Sequence, residues 1–189
     1  MTEIWTVLEE GDADGLKRLL DRCPELVDAP LNTNPWRISP DPAYTHQTRP
    51  IHFCSFAGRE DLLAVLLKYD PQVDVFTYED NKGMTTPLVL AAWEGALRSC
   101  ELLLESGANP HIWASAVNPL YTAAEHHAWD KVALLLSFGA VHDVFTASIC
   151  GEPAVVERQI EAYPPLLLRR SLKRDRTPME EAVEHRRDE

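Results

Sequence analysis

The sequence predicts an all-α solenoid of stacked helix-turn-helix repeats with short finger loops. Three observations predict it. A proline, a pair of small residues, a glycine and a Leu-Leu pair recur at fixed offsets along the chain. Inside each copy the apolar residues fall at helical spacing, as in Leu63, Leu66 and Leu67. The apolar fraction of 45% over 189 residues is enough for a core and too high for a disordered chain.

The first copy opens with Ile4 and Val7-Leu8 before Gly11, followed by Leu19-Leu20 and Cys23-Pro24. A proline-rich insertion follows at about 29–48; Ala29–Ala43 alone holds four prolines, which exclude a helix or a central strand. Trp36 and Ile38 within it favour a loop that packs rather than a loose linker. Copy two runs through Arg49-Pro50-Ile51-His52, Cys54-Ser55, Gly58, Leu66-Leu67 and Asp70-Pro71. Copy three has Thr86-Pro87-Leu88, Ala91-Ala92, Gly95, Leu103-Leu104 and Gly107-Ala108. Copy four repeats this 32 residues later, with His127 in the glycine's place and Gly139-Ala140 at its end. Copy five carries Val144, Ala147-Ser148, Gly151, Ile160 and Tyr163-Pro164. A last half-copy opens at Thr177-Pro178-Met179 and continues through Ala182-Val183.

Each first helix starts at a proline, whose fixed φ suits the first turn, behind a capping residue such as Thr86. The small pair admits the neighbouring copy closely, and the glycine turns the corner. Where Cys23-Pro24, Asp70-Pro71 and Tyr163-Pro164 replace Gly-Ala, the second helix is expected to end against proline rather than in a left-handed residue. The anchors His127 and Gly151 are only 24 residues apart, which leaves no room for a finger before copy five. The last helix, rich in Glu and Arg, is expected to cap the stack with a polar outer face.

This pattern resembles the ankyrin repeat, whose signature T-P-L-H-x-A appears as Thr86-Pro87-Leu88-Val89-Leu90-Ala91. The signature histidine survives at His52; Trp5, Val89, Tyr121, Phe145 and Glu180 stand at its equivalents. The resemblance covers nearly the whole chain as one domain, 1–189, in about five and a half copies. It implies a structural, hydrogen-bonding role for His52. It also implies that the two positions before each anchor point into a concave binding groove. These are Glu9 and Glu10, Phe56 and Ala57, Trp93 and Glu94, Glu125 and His126. The residues expected to bind a partner are therefore Phe56, Trp93, Glu94, Glu125 and His126, with Tyr78 and Trp113 on the fingers. Two readings stand for Phe56 and Trp93: a shared apolar platform, or rings tucked under neighbouring fingers. Phe76 and Trp113, at equivalent finger positions, equally suit hairpin bracing. Tyr44 and His46 lead into copy two in the same way, and Asp80, Asn81, Lys82 and Ser115 fall near finger tips.

With 30 acidic and 18 basic residues, the formal net charge is −12. That argues against nucleic acid and anionic membranes as partners and favours a protein with a basic or mixed-charge surface. The charge is uneven: residues 169–189 hold seven basic and six acidic side chains. No catalytic motif occurs: no G-x-S-x-G, Walker loop, G-x-G-x-x-G or H-E-x-x-H. Cys23, Cys54, Cys100 and Cys150 are too far apart for a ligand pair and read as reduced thiols of a cytoplasmic protein. No cofactor and no metal is expected. Apolar runs such as Leu62–Leu67 are far too short to span a membrane, and the acidic N-terminus is not a secretory signal.

The expected function is a non-catalytic protein–protein interaction module that binds through its concave face. The alternative is an inhibitor or immunity-type protein that blocks a specific enzyme or toxin, suggested by a small, acidic chain with no appended catalytic domain. A metal-dependent or enzymatic role for His46, His126 or His127 and a subunit role in a larger assembly are weaker rivals. The sequence leaves the oligomeric state open.

Overall fold

The computed structural model describes residues 3–30, 48–79 and 83–185, with the side chains of Tyr78 and Glu79 outside that description. Most of the insertion, with Trp36, Ile38, Tyr44 and His46, lies outside the described residues, as do Asp80, Asn81 and Lys82. The chain divides into two compact units, Met1–Asn109 and Pro110–Glu189.

In the first unit, α1 (Glu3–Glu10) and α2 (Ala13–Arg22) form a hairpin, followed by a 3-10 turn at Pro24–Asp28. The next two hairpins are α3 (Pro50–Phe56) with α4 (Glu60–Leu67), and α5 (Pro87–Trp93) with α6 (Leu97–Glu105). Between them β1 (Thr77–Glu79) and β2 (Gly83–Thr85) pair antiparallel, with Tyr78 opposite Met84. First helices stack on first helices, α1 on α3 and α3 on α5; second helices do the same, α2 on α4 and α4 on α6. Between them Leu8, Leu16, Leu20, Ile51, Leu62, Leu63, Leu66 and Leu103 lose essentially all contact with water. Each such side chain contributes about 1.5–3 kcal/mol when fully buried.

Prolines occupy the first turn of α3 and α5, and the Thr86 side chain accepts from the Val89 amide, as the sequence implies. His52 is fully buried and bridges two loops: its Nδ1 accepts from the Arg49 amide at 3.1 Å and its Nε2 meets the Val75 carbonyl at 3.1 Å. A linkage not visible in the sequence joins successive hairpins. The Asp28 carboxylate accepts from the Gln72 amide, and the Asp74 carboxylate accepts from the Asn109 amide.

One backbone expectation needs correction, and one glycine has a constraint beyond its turn. Cys23 ends α2 at φ −138°, outside the left-handed region, as its following proline predicts. Asp70, also before proline, instead adopts φ +54°, the left-handed state that Gly107 takes at φ +89°. Aspartate tolerates this conformation better than most residues, and it outweighs the effect of Pro71. Gly95 is not kept for a left-handed φ. A Cβ there would lie 2.3 Å from the Ser55 carbonyl oxygen and 2.7 Å from the Ala91 Cα. It is a close-approach glycine at the seam between α3 and α5.

In the second unit, α7 (Pro119–Glu125) and α8 (Trp129–Ser137) form one hairpin, and α9 (Val144–Ile149) and α10 (Pro153–Ala162) the next. A 3-10 turn, Pro164–Leu168, leads to α11 (Pro178–His185). The first helices again stack, α7 on α9 and α9 on α11. Asn118 and Asp143 cap α7 and α9 through the amides of Tyr121 and Thr146, each at 2.7 Å. His127 turns the corner at φ +55°, as Gly58 does at +61°. The finger before α9 is missing, as the 24-residue spacing requires. Tyr163 ends α10 at φ −147°, outside the left-handed region, also as expected. The outer face of α11 is mixed rather than polar: Glu180 and Glu184 are exposed as expected, but so are Met179 at 64% and Val183 at 51%.

The two kinds of glycine predict different costs. Gly95→Ala is expected to lose about 2–3 kcal/mol through backbone overlap. Gly107→Ala, whose Cβ would meet nothing within 4 Å, is expected to lose about 1 kcal/mol from left-handed strain alone. Urea unfolding of both variants checks the order; equal losses contradict the close-approach role.

Candidate partner-binding face

In the first unit, the side chains before each turn emerge at the C-terminal ends of the first helices. Glu9 and Glu10 are exposed at the end of α1. Phe56 ends α3 and Trp93 ends α5, and stacking of these helices brings the two rings together. Their centroids are 5.7 Å apart and their planes cross at 70°, an edge-to-face contact. Both rings are half-buried, and the adjoining Ala57 and Glu94 are exposed. The aromatic pair expected from the register is therefore formed and not sealed inside the unit. Phe76 is half-buried at the base of its finger.

In the second unit, Trp113 is 48% exposed beside a tight turn whose Ala114 and Val117 bridge each other. With Tyr121, Phe145, Leu166 and Leu172 it lines a cavity of about 210 Å3, which takes the place of the missing finger. His126 is exposed at the end of α7.

Glu125 departs from the expectation of an open groove carboxylate. Its side chain is only 4% exposed and is clamped by the chain's own basic loop. The Lys173 ammonium donates to Oε2, and the Arg174 guanidinium donates to Oε1 at 2.6 Å. Burial pushes the Glu125 carboxyl up, but the Lys173 hydrogen bond and the two cationic charges outweigh it and hold the group below its usual range. With no finger before α9, the loop before α11 reaches back to α7. Sequence reasoning missed this pairing, although the basic cluster at 169–176 was its signal.

A buried polar cluster continues from this clamp. Glu181 Oε1 accepts from the Tyr121 hydroxyl at 3.2 Å and the Ser171 hydroxyl at 3.1 Å. His185 Nδ1 lies 3.1 Å from His127 Nε2, and the His127 ring stands edge-on to Trp129. The cluster ties α11 to α7 through polar groups that are costly to leave unpaired. Burial and then the nearby Glu181 charge push the Tyr121 phenol far up, so it stays a donor. Burial likewise pushes the Cys54 thiol up, and the Cys150 thiol to about 11, so neither is an activated nucleophile. Among the described residues, no three His, Cys, Asp or Glu side chains converge to hold a metal ion.

The model for the family described as ankyrin repeats (3 copies) matches residues 4–113, more than half of the chain. The chain belongs to the ankyrin repeat family. The later copies, beyond the match, follow the same register in sequence and structure. No curated protein matches this chain. No helix among the described residues is long and apolar enough to cross a membrane.

Two histidines give stability a pH dependence. Burial holds His52 down to about 3, and burial together with the Arg174 charge lowers His185 from its usual 6.5. His52 stays neutral in the native state, and His185 takes up its proton at lower pH than in the unfolded chain, which takes up protons below 6.5. The unfolded state then binds more protons, so stability is full above that value and falls as the pH drops. Urea unfolding is expected to show a loss of at least about 2 kcal/mol from pH 7 to pH 5. Equal stability at the two pH values contradicts a neutral, buried His52.

Proposed function

We propose that this chain is a non-catalytic, cytoplasmic interaction module that binds another protein through the face carrying Phe56, Trp93 and Glu94. Ankyrin repeats are generally protein–protein interaction modules. The observation that carries the reading is the Phe56–Trp93 pair. Two aromatic rings from successive hairpins are held edge to face, half-buried, beside an exposed carboxylate. Rings fixed by their scaffold lose little entropy on binding, and aromatic anchors dominate interface energetics. Glu94 and the net charge of −12 favour a partner with a basic or mixed-charge surface over nucleic acid or an anionic membrane. Tyr78 and Trp113 on the fingers, and His126 before its turn, are proposed as further contacts. Glu125 is proposed to act by holding Lys173 and Arg174 in place.

Affinity capture with the full chain identifies the partner, and titration of variants tests the face. Trp93→Ala is expected to weaken binding at least about ten-fold. Glu94→Lys is expected to weaken it and to reduce its salt dependence. Unchanged affinity in both variants, with circular dichroism intact, contradicts the proposed face.

A further inference from the structure

A β finger precedes α5, and none precedes α9. Leu67 and Pro87 bracket the β1–β2 finger, whereas α8 ends at Ser137 and α9 already begins at Val144. Where that finger is missing, the cavity of about 210 Å3 lies between the Ala114–Val117 turn and the chain after α10. Trp113, Tyr121 and Phe145 form its aromatic walls, with Leu166 and Leu172 beside them. An apolar cavity of about 150 Å3 already holds a benzene ring, so this volume suits one aromatic side chain. Three aromatic walls favour a ring over an aliphatic group, through edge-to-face and offset contacts.

The polar side chains on the wall differ in what they already meet. Asp143 caps α9 through the Thr146 amide at 2.7 Å, where the helix start favours its charge. Arg170 pairs with Asp175 at 2.8 Å, and Gln159 donates to the His142 carbonyl at 2.8 Å. The Tyr121 and Ser171 hydroxyls donate to Glu181 at 3.2 and 3.1 Å. Two donors are left over: the Arg169 guanidinium and the Trp113 indole N–H meet no partner among the described residues. Both call for an acceptor, and the guanidinium for a negative one. We propose that this cavity receives an aromatic side chain of a partner protein, carried on an extended segment that lies where the finger is missing, with a flanking carboxylate on Arg169. The missing finger selects a chain segment over a free small acid, because the first unit fills the equivalent register with a hairpin of its own. This contact rests on the reading of the chain as an interaction module and fits a partner of mixed charge.

NMR titration of the isotope-labelled full chain with the peptide acetyl-Ser-Asp-Phe-Asp-Ser-amide tests the contact. Binding is expected with a dissociation constant below about 1 mM, with the largest shifts at Tyr121, Phe145 and Leu172. The same peptide with alanine for phenylalanine is expected to bind at least about ten-fold more weakly. With asparagine for both aspartates it is expected to bind about three-fold more weakly to wild type and equally to Arg169→Gln, a cycle that couples the carboxylate to Arg169. Leu168→Gln, at a side chain 79% exposed and outside the cavity, is expected to leave affinity unchanged. Trp93→Ala is expected to leave it unchanged as well, so failure here leaves the Phe56–Trp93 face standing, and failure of that face leaves the cavity contact standing. No binding at about 5 mM peptide, shifts confined to residues outside the cavity, or a cycle without coupling overturns the proposal. Phenylpropionate that binds as tightly as the peptide overturns the partner segment and assigns the cavity to a small acid.

Discussion

Every helix described in this chain is six to ten residues long, below the length at which isolated helices persist in water. Burial between neighbouring hairpins is thus the constraint on which everything else rests. Leu63, Leu66 and Leu103 are fully buried on second helices that pack both on their own hairpin partner and on the second helices of neighbouring hairpins. The seams are kept narrow by Ala91, Ala92 and Gly95, the last lying so close to the Ser55 carbonyl that no side chain fits. Polar groups at the same seams are satisfied by repeated devices: capping side chains, the His52 bridge between loops, and aspartates that accept amides of the next hairpin.

This scaffold decides which side chains emerge at the ends of the first helices. The last turn of each first helix lies at the edge of the seam, where a ring is packed against its neighbour and only half-buried. Phe56 and Trp93 occupy that position, and their contact is a product of stacking as much as of sequence. The second unit shows what happens when the pattern is shortened. With no finger before α9, a cavity opens beside Trp113, and Lys173 and Arg174 fold back onto Glu125. A carboxylate that register alone assigns to a partner is thereby spent within the chain.

Much of this was legible in the residues. Fixed offsets of proline, small pair, glycine and leucine pair mark helix starts, seams and turns, so the hairpins follow directly. Cys23 and Tyr163 behave as their prolines dictate. Asp70 does not, because a left-handed aspartate and a left-handed glycine close a helix equally well and local sequence does not choose between them. Gly95 turns the corner as the repeat predicts, but the reason no other residue fits is an oxygen 40 residues earlier in the chain, at Ser55. The Glu125 clamp spans 48 residues to Lys173 and depends on a missing finger, so no local pattern encodes it. The exposure of Met179 and Val183, with Glu181 buried in their place, is hidden in the run Met-Glu-Glu-Ala-Val-Glu, whose neighbouring Glu and apolar residues do not say which of them faces inward.

Neighbour dependence is tested most directly by hydrogen exchange in the first unit. Ile51, fully buried in α3, is well placed for a mild perturbation, and Ile51→Val costs about 1 kcal/mol. If hairpins hold only through their neighbours, amide protection falls by a similar amount in α1 and α2, and in α5 and α6, as in α3 and α4. Protection lost from α3 and α4 alone, with the flanking hairpins untouched, contradicts the account.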